Sequence, residues 1–190
     1  MRFFSRKAVG LFFAAIYCAV AVSRFAFVSP ALADTEQGTP DGWKPSPVTP
    51  GCILQAAKMQ NIPPHIILGL LKTEGGHLGS ESPNKDGSVD LGPMQINDKT
   101  WVPILARAHF GGNRRLAYIM LRDHGCYSIY IGAWIFRQYL DEARGNYADA
   151  VGYYNSHNER QKNAYEKRFA ANFKELFGWM VTSQQPQQTR

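Results

Sequence analysis

Cysteine is scarce in this chain, as are long alternating strands and apolar runs of membrane-spanning length. Three cysteines occur in 190 residues, and Cys52 and Cys126 have no His or Cys neighbours at metal-ligand spacing, so a closed thiolate metal site is excluded. The five histidines never form H-E-x-x-H, the spacing a helical zinc hydrolase needs. Gly69 to Gly76 lacks the G-K-[ST] end of a phosphate loop. The stretch Asn84-Lys85-Asp86-Gly87-Ser88-Val89-Asp90 lacks EF-hand spacing and its terminal glutamate. These absences leave no expected metal or cofactor. No internal repeat or low-complexity tract is visible between the two polar tails. No run of alternating residues is long enough for a sheet-based fold.

What is present begins with an export pattern. Arg2, Arg6 and Lys7 form a basic region, Ala8 to Val22 an apolar core, and Ala31-Leu32-Ala33 an A-x-A site. Together they predict a secretory signal over residues 1–33, cleaved after Ala33, and an exported, periplasmic protein. A single spanning anchor is the competing reading, but the apolar core is shorter than the ~20 residues a span requires and Arg24 interrupts it. The full chain carries 21 Lys and Arg against 15 Asp and Glu. Removing the four basic residues of the signal leaves 17 against 15, about +2, which is not the basic footprint of a nucleic-acid binder. Cys18 leaves with the signal. The remaining Cys52 and Cys126, in an oxidising compartment, favour a disulfide over two buried thiols.

Residues 34–50, DTEQGTPDGWKPSPVTP, read as a Pro-rich leader, and residues 179–190 as a polar tail. Between them the pattern is helical: Ile53–Gln60, a second helix opened by Pro63-Pro64 and reaching Glu74, one capped by Asp98, Leu116–Arg122, a long central helix over Ile129–Ala143, Tyr147–Tyr154 and Asn163–Phe177. Asp86-Gly87 marks a hairpin turn. The fold class is therefore mainly α, with a small β-like excursion in the glycine-rich segment 75–93.

One placement in this pattern is odd. Glu74 ends an apolar helix and is followed by Gly75 and Gly76, although helix C-termini favour cations. A turn-rich loop follows, then Asp90-Leu91-Gly92-Pro93-Met94-Gln95-Ile96-Asn97. Folded back over Glu74, that loop would bury the acid. Desolvation and the negative helix end would both raise its pKa above about 4.3. A carboxylic acid protonated near neutral pH is what a glycosidic leaving group needs.

These motifs resemble the lysozyme-like soluble lytic transglycosylases, and most of all the small exported members found beside secretion, pilus and conjugation systems. The family pattern is a helix ending in glutamate, a turn-rich loop, G-x-M-Q-I, an apolar helix after a cysteine, and A-x-x-x-Y-N. This chain has Glu74, then Gly92-Pro93-Met94-Gln95-Ile96, then Cys126 leading into Gly132-Ala133-Trp134-Ile135, then Ala150 with Tyr154-Asn155. The match covers roughly residues 51–177. It departs at Gly75, where many members have Ser, at Pro93 within the common G-L-M-Q, and at Ser156-His157 after Tyr-Asn.

The resemblance implies an α+β lysozyme-like domain over residues 51–178, a monomer without cofactor, acting on peptidoglycan glycan strands. It assigns Glu74 as acid and then base, with Gln95, Met94, Tyr154 and Asn155 as substrate-binding residues. The expected reaction cuts the β-1,4 bond between N-acetylmuramic acid and N-acetylglucosamine and closes a 1,6-anhydro ring. Components of a trans-envelope secretion or conjugation machine are the implied partners. Related goose-type lysozymes carry an acid where this chain has Asn97, which favours the route without water. Asp86 and Asp90 keep hydrolysis as the alternative reading, and a non-catalytic peptidoglycan-binding module is the other.

Overall fold

The computed structural model describes residues 44–182. The expected signal with its cleavage site, most of the leader and the end of the tail lie outside the described residues. Among these residues the elements run α1 (Pro50–Gln60), α2 (Pro64–Glu74), β1 (Glu81–Pro83), β2 (Val89–Leu91), β3 (Ile96–Asn97), α3 (Asp98–His109), α4 (Arg114–Asp123), α5 (Gly125–Glu142), α6 (Tyr147–Asn155) and α7 (Glu159–Thr182). This is the mainly α, lysozyme-like architecture, with one small three-stranded antiparallel sheet in the order β1-β2-β3. No described helix is long and apolar enough to cross a membrane.

Local chemistry sets most boundaries. Thr49 caps α1 by accepting from Cys52 N at 3.3 Å, and Pro50 occupies the first turn, where a missing N–H costs nothing. Gly75 ends α2 at φ 66°, a left-handed cap that glycine adopts without strain. The hairpin closes where Gly87 takes φ 76° and Asn84 N meets Ser88 O at 2.8 Å. The strand register pairs Ser82 with Asp90 and Asp90 with Asn97.

Two boundaries differ from the sequence reading. The cap of α3 is Asn97, which accepts from Thr100 N at 3.2 Å, and Asp98 is the first helical residue; either side chain has the cap chemistry, and the end of β3 selects the earlier one. The end of the leader is extended but not free, since Ser46 forms a parallel bridge with His124. Ser46 N donates to Asp123 O at 3.0 Å and Gly125 N to Ser46 O at 2.7 Å, so the chain is already docked on the α4–α5 junction before α1 begins.

Helix α5 runs through the core and packs against α1, α4 and α6. Ile129, Ala133 and Phe136 on it are fully buried, against Ile67 and Leu70 of α2 and Leu121 of α4, all likewise fully buried in the same core. The structure joins Cys52 and Cys126 by a disulfide with a Cα–Cα separation of 5.3 Å, tying α1 to the first turn of α5. Helix α7 closes the molecule over α2 and α6.

Candidate active site

Glu74 lies in a cavity of about 820 Å³. Its walls come from the end of α2, the β1–β2 hairpin, the Gln95–Asn97 segment, the start of α3, α5, the end of α6 and α7. The two glycines after Glu74 have separate reasons. Gly75 supplies the positive φ that stops the helix. A Cβ on Gly76 would lie 2.2 Å from Gly92 O and 2.8 Å from Gln95 Nε2, so only glycine lets the Gly92–Gln95 turn close against the chain leaving the acid.

That turn is held from inside. Gln95 sits at φ 47°, and its amide nitrogen donates to Gly92 O at 2.8 Å and to Ser80 Oγ at 3.1 Å. Gln95 lines the cavity with its nitrogen committed to the loop, and its amide oxygen is its remaining acceptor. Met94 is a correction to the sequence reading. It has 0 % exposure, and a Cβ on Gly132 would lie 2.7 Å from its Cε, so its side chain packs in the core. It does not line the cavity.

The carboxyl of Glu74 receives a short hydrogen bond from Tyr165 OH. Tyr165 is 1 % exposed, and Arg168 one turn on lies over its ring at 5.0 Å from the centroid. Burial pushes the pKa of Glu74 up from 4.5 to about 7; the Tyr165 hydrogen bond and the Arg168 charge oppose the shift, and the Asp90 charge adds to it. The wall that steadies the acid thus comes from α7. Tyr154 lines the same cavity, but its hydroxyl donates to Met94 O at 3.2 Å, so it pins the loop and leaves the direct contact with Glu74 to Tyr165. Burial and the nearby Glu74 charge hold the Tyr154 phenol far above its usual pKa, so it stays neutral. Asn155, at the end of α6, reaches the cavity rim.

The two loop acids both line the cavity but are held differently. Asp86 Oδ1 accepts from Ser88 N at 2.9 Å and Ser88 Oγ at 2.7 Å; these bonds lower its pKa and make it the turn's own staple. Asp90 lines the cavity and accepts from Asn97 Nδ2 at 2.9 Å, so its charge is held where it acts on Glu74. Trp101 of α3 and Tyr139 of α5 complete the aromatic lining. Among the described residues no group of three or more His, Cys, Asp or Glu is placed to hold a metal ion.

Sequence reasoning missed Tyr165, Arg168, Trp101 and Tyr139. The available signal was weak: Tyr165 and Arg168 at i, i+3 on a polar helix are indistinguishable from a surface pair until α7 is docked.

A transglycosylase SLT domain model matches residues 51–177, which spans every element from α1 through most of α7. The chain is 30% identical over 134 residues to the invasion protein IagB of Salmonella typhimurium, covering 67% of this chain and 78% of that protein. The Salmonella typhi protein of the same name is 30% identical over 122 residues, 63% of this chain and 70% of that one. With the acid, the loop and the helix order in place, the chain belongs to the transglycosylase SLT domain family.

Proposed function

We propose that this protein is a peptidoglycan lytic transglycosylase with Glu74 as its acid and base. The observation that supports this best is a carboxyl on a cavity wall with a pKa near 7, aligned by Tyr165. Protonated Glu74 gives its proton to the glycosidic oxygen between N-acetylmuramic acid and N-acetylglucosamine as the C1–O bond breaks. The acetamido oxygen of the muramic residue stabilises the positive charge at C1. The Glu74 carboxylate then takes the proton of the 6-hydroxyl, O6 bonds to C1, and a 1,6-anhydro ring closes without water. A pKa near the working pH serves both proton transfers. Gln95, through its amide oxygen, and Asn155 bind the sugar and its acetamido group, while Tyr154 keeps the loop in place.

Peptidoglycan as substrate puts the site of action outside the cytoplasmic membrane, in keeping with the export pattern of residues 1–33. The likeness to invasion proteins of Salmonella supports local opening of the wall for a secretion or conjugation apparatus as the biological task. Asp90 facing the same cavity supports hydrolysis as the second reading, with that carboxylate assisting a water.

The deciding experiment is mass spectrometry of products after the mature chain digests peptidoglycan, beside Glu74→Gln. Anhydromuramoyl ends, absent with Glu74→Gln, are expected. Reducing muramic ends abolished by Asp90→Asn would establish the hydrolase. Intact sacculi with folded protein would leave a binding module.

A further inference from the structure

The catalytic residues occupy only part of the cavity. On the wall formed by the start of α3, Trp101 lines the same space, flanked by the polar side chains of Asn97 and Thr100. Trp101 is half-buried; its other side packs against the core. It meets Trp134 of α5 edge to face, with ring centroids 5.5 Å apart and planes at 80°. Trp134 does not line the cavity, so it acts as a buttress that fixes the indole plane. The backbone beneath is fixed too. Asn97 caps α3 and gives its amide nitrogen to Asp90 and to Ser88 Oγ, which locks the helix start to the hairpin.

A large flat aromatic ring lining the cavity, held rigid from behind and edged by amide and hydroxyl groups, has the chemistry of a pyranose site. The axial C–H face of a β-linked sugar ring packs on the indole, while its equatorial hydroxyl and acetamido groups reach the polar rim. We infer that Trp101 is the stacking platform of a sugar-binding subsite for an N-acetylated pyranose of the glycan strand, removed from the ring that reacts at Glu74. The inference rests on the glycan-cleaving reading above. Trp101 binds and does not take part in proton transfer, so its removal weakens substrate binding more than it slows the bond-breaking step.

The test uses the mature chain carrying Glu74→Gln, titrated with β-1,4-linked N-acetylglucosamine oligomers of four to six units. Calorimetry is expected to show binding that Trp101→Ala weakens by about tenfold or more, on the order of one stacked ring, and that Trp101→Phe largely restores. In the active enzyme, Trp101→Ala is expected to raise KM while kcat falls less. Because Trp101 also packs on the core, a measurement without its removal stands beside these. With 5-fluorotryptophan in the Glu74→Gln protein, the ¹⁹F resonance assigned by Trp101→Phe is expected to shift with the same saturation curve as the heat. Oligosaccharide binding that leaves this resonance in place, or a folded Trp101→Ala protein of unchanged affinity, would overturn the subsite while the glycan-cleaving function stands. Absence of any oligosaccharide binding, together with uncut peptidoglycan, would remove both.

Discussion

Glu74 keeps its proton near neutral pH because burial disfavours the carboxylate more than Tyr165 and Arg168 favour it. That balance has a consequence for stability. Between pH about 4.5 and about 7 the folded chain binds a proton that the unfolded chain has released, so the native state is most favoured at or below the lower value and loses ground as pH rises through the upper one. Glu74→Gln retains the acceptor for Tyr165 and removes the titration. Relative to the parent it is expected to gain roughly 3 kcal/mol at most at pH 8.5 and close to nothing at pH 4, from 1.36 kcal/mol per pK unit. Urea unfolding of both proteins at the two pH values checks this; a stability difference independent of pH would contradict it.

The same balance predicts the alkaline limb of the pH–rate profile. Activity is expected to fall as pH passes about 7 and the acid loses its proton. Tyr165→Phe removes the largest opposing influence and moves that limb to higher pH; Arg168→Gln moves it the same way by less. Asp90→Asn moves it to lower pH, since the Asp90 charge raises the Glu74 pKa. Initial rates on peptidoglycan from pH 5 to 9 give the order of the four midpoints. The burial of this acid was legible in the sequence, because a glutamate at a helix C-terminus before two glycines and a turn-rich loop is placed where the loop can fold back over it. Its phenolic partner was not. The Y-N motif pointed to Tyr154, and the choice between two tyrosines 11 positions apart depends on how α7 docks.

At the scale of elements, the periodic signals gave seven helices and the turn chemistry gave the hairpin, because caps and left-handed glycines are local properties. The docking of α7 is not local. It rests on contacts such as Asn172 Nδ2 to Thr73 Oγ1 at 3.2 Å and Lys72 Nζ to Glu175 at 2.9 Å, between residues about a hundred positions apart. The exposed Lys72–Glu175 pair contributes little by itself; the buried aromatic face of α7 holds the helix down. The loop between α2 and β3 is a second element-scale device, since Gly76 and Gly92 touch without side chains. Gly76→Ala forces a Cβ to within 2.2 Å of a backbone oxygen and displaces the turn that carries Gln95. It is expected to cost about 1–3 kcal/mol, the range for overpacking, and to lower kcat at least tenfold at temperatures where the variant is fully folded. Gly75→Ala, with open space around its Cβ, strains only the cap and is expected to leave kcat nearly unchanged. Circular dichroism melts paired with rates on the two variants separate loop placement from helix capping.

Over the whole molecule, the disulfide divides the site unequally. The bridge from Cys52 to Cys126 encloses a segment of 74 residues in sequence separation, containing Glu74, the hairpin, Gln95 and Trp101. Tyr154, Tyr165 and Arg168 lie beyond it. In the chain-entropy account a loop of this length stabilises the native state by roughly 4 kcal/mol, because it restricts the unfolded chain. Neither cysteine lines the cavity, and the bonded helices α1 and α5 remain packed through the core. Reduction is therefore expected to lower the Tm on the order of 10 °C for a domain of this size, while the rate at 25 °C stays within about twofold of the oxidised enzyme as long as the remaining stability exceeds a few kcal/mol. Scanning calorimetry and peptidoglycan digestion, each with and without reductant, test the two halves together. A fall in rate at 25 °C without a matching loss of folded protein would mean that the bridge also orders the catalytic loop. The core contacts between α1 and α5 would then be insufficient to hold it.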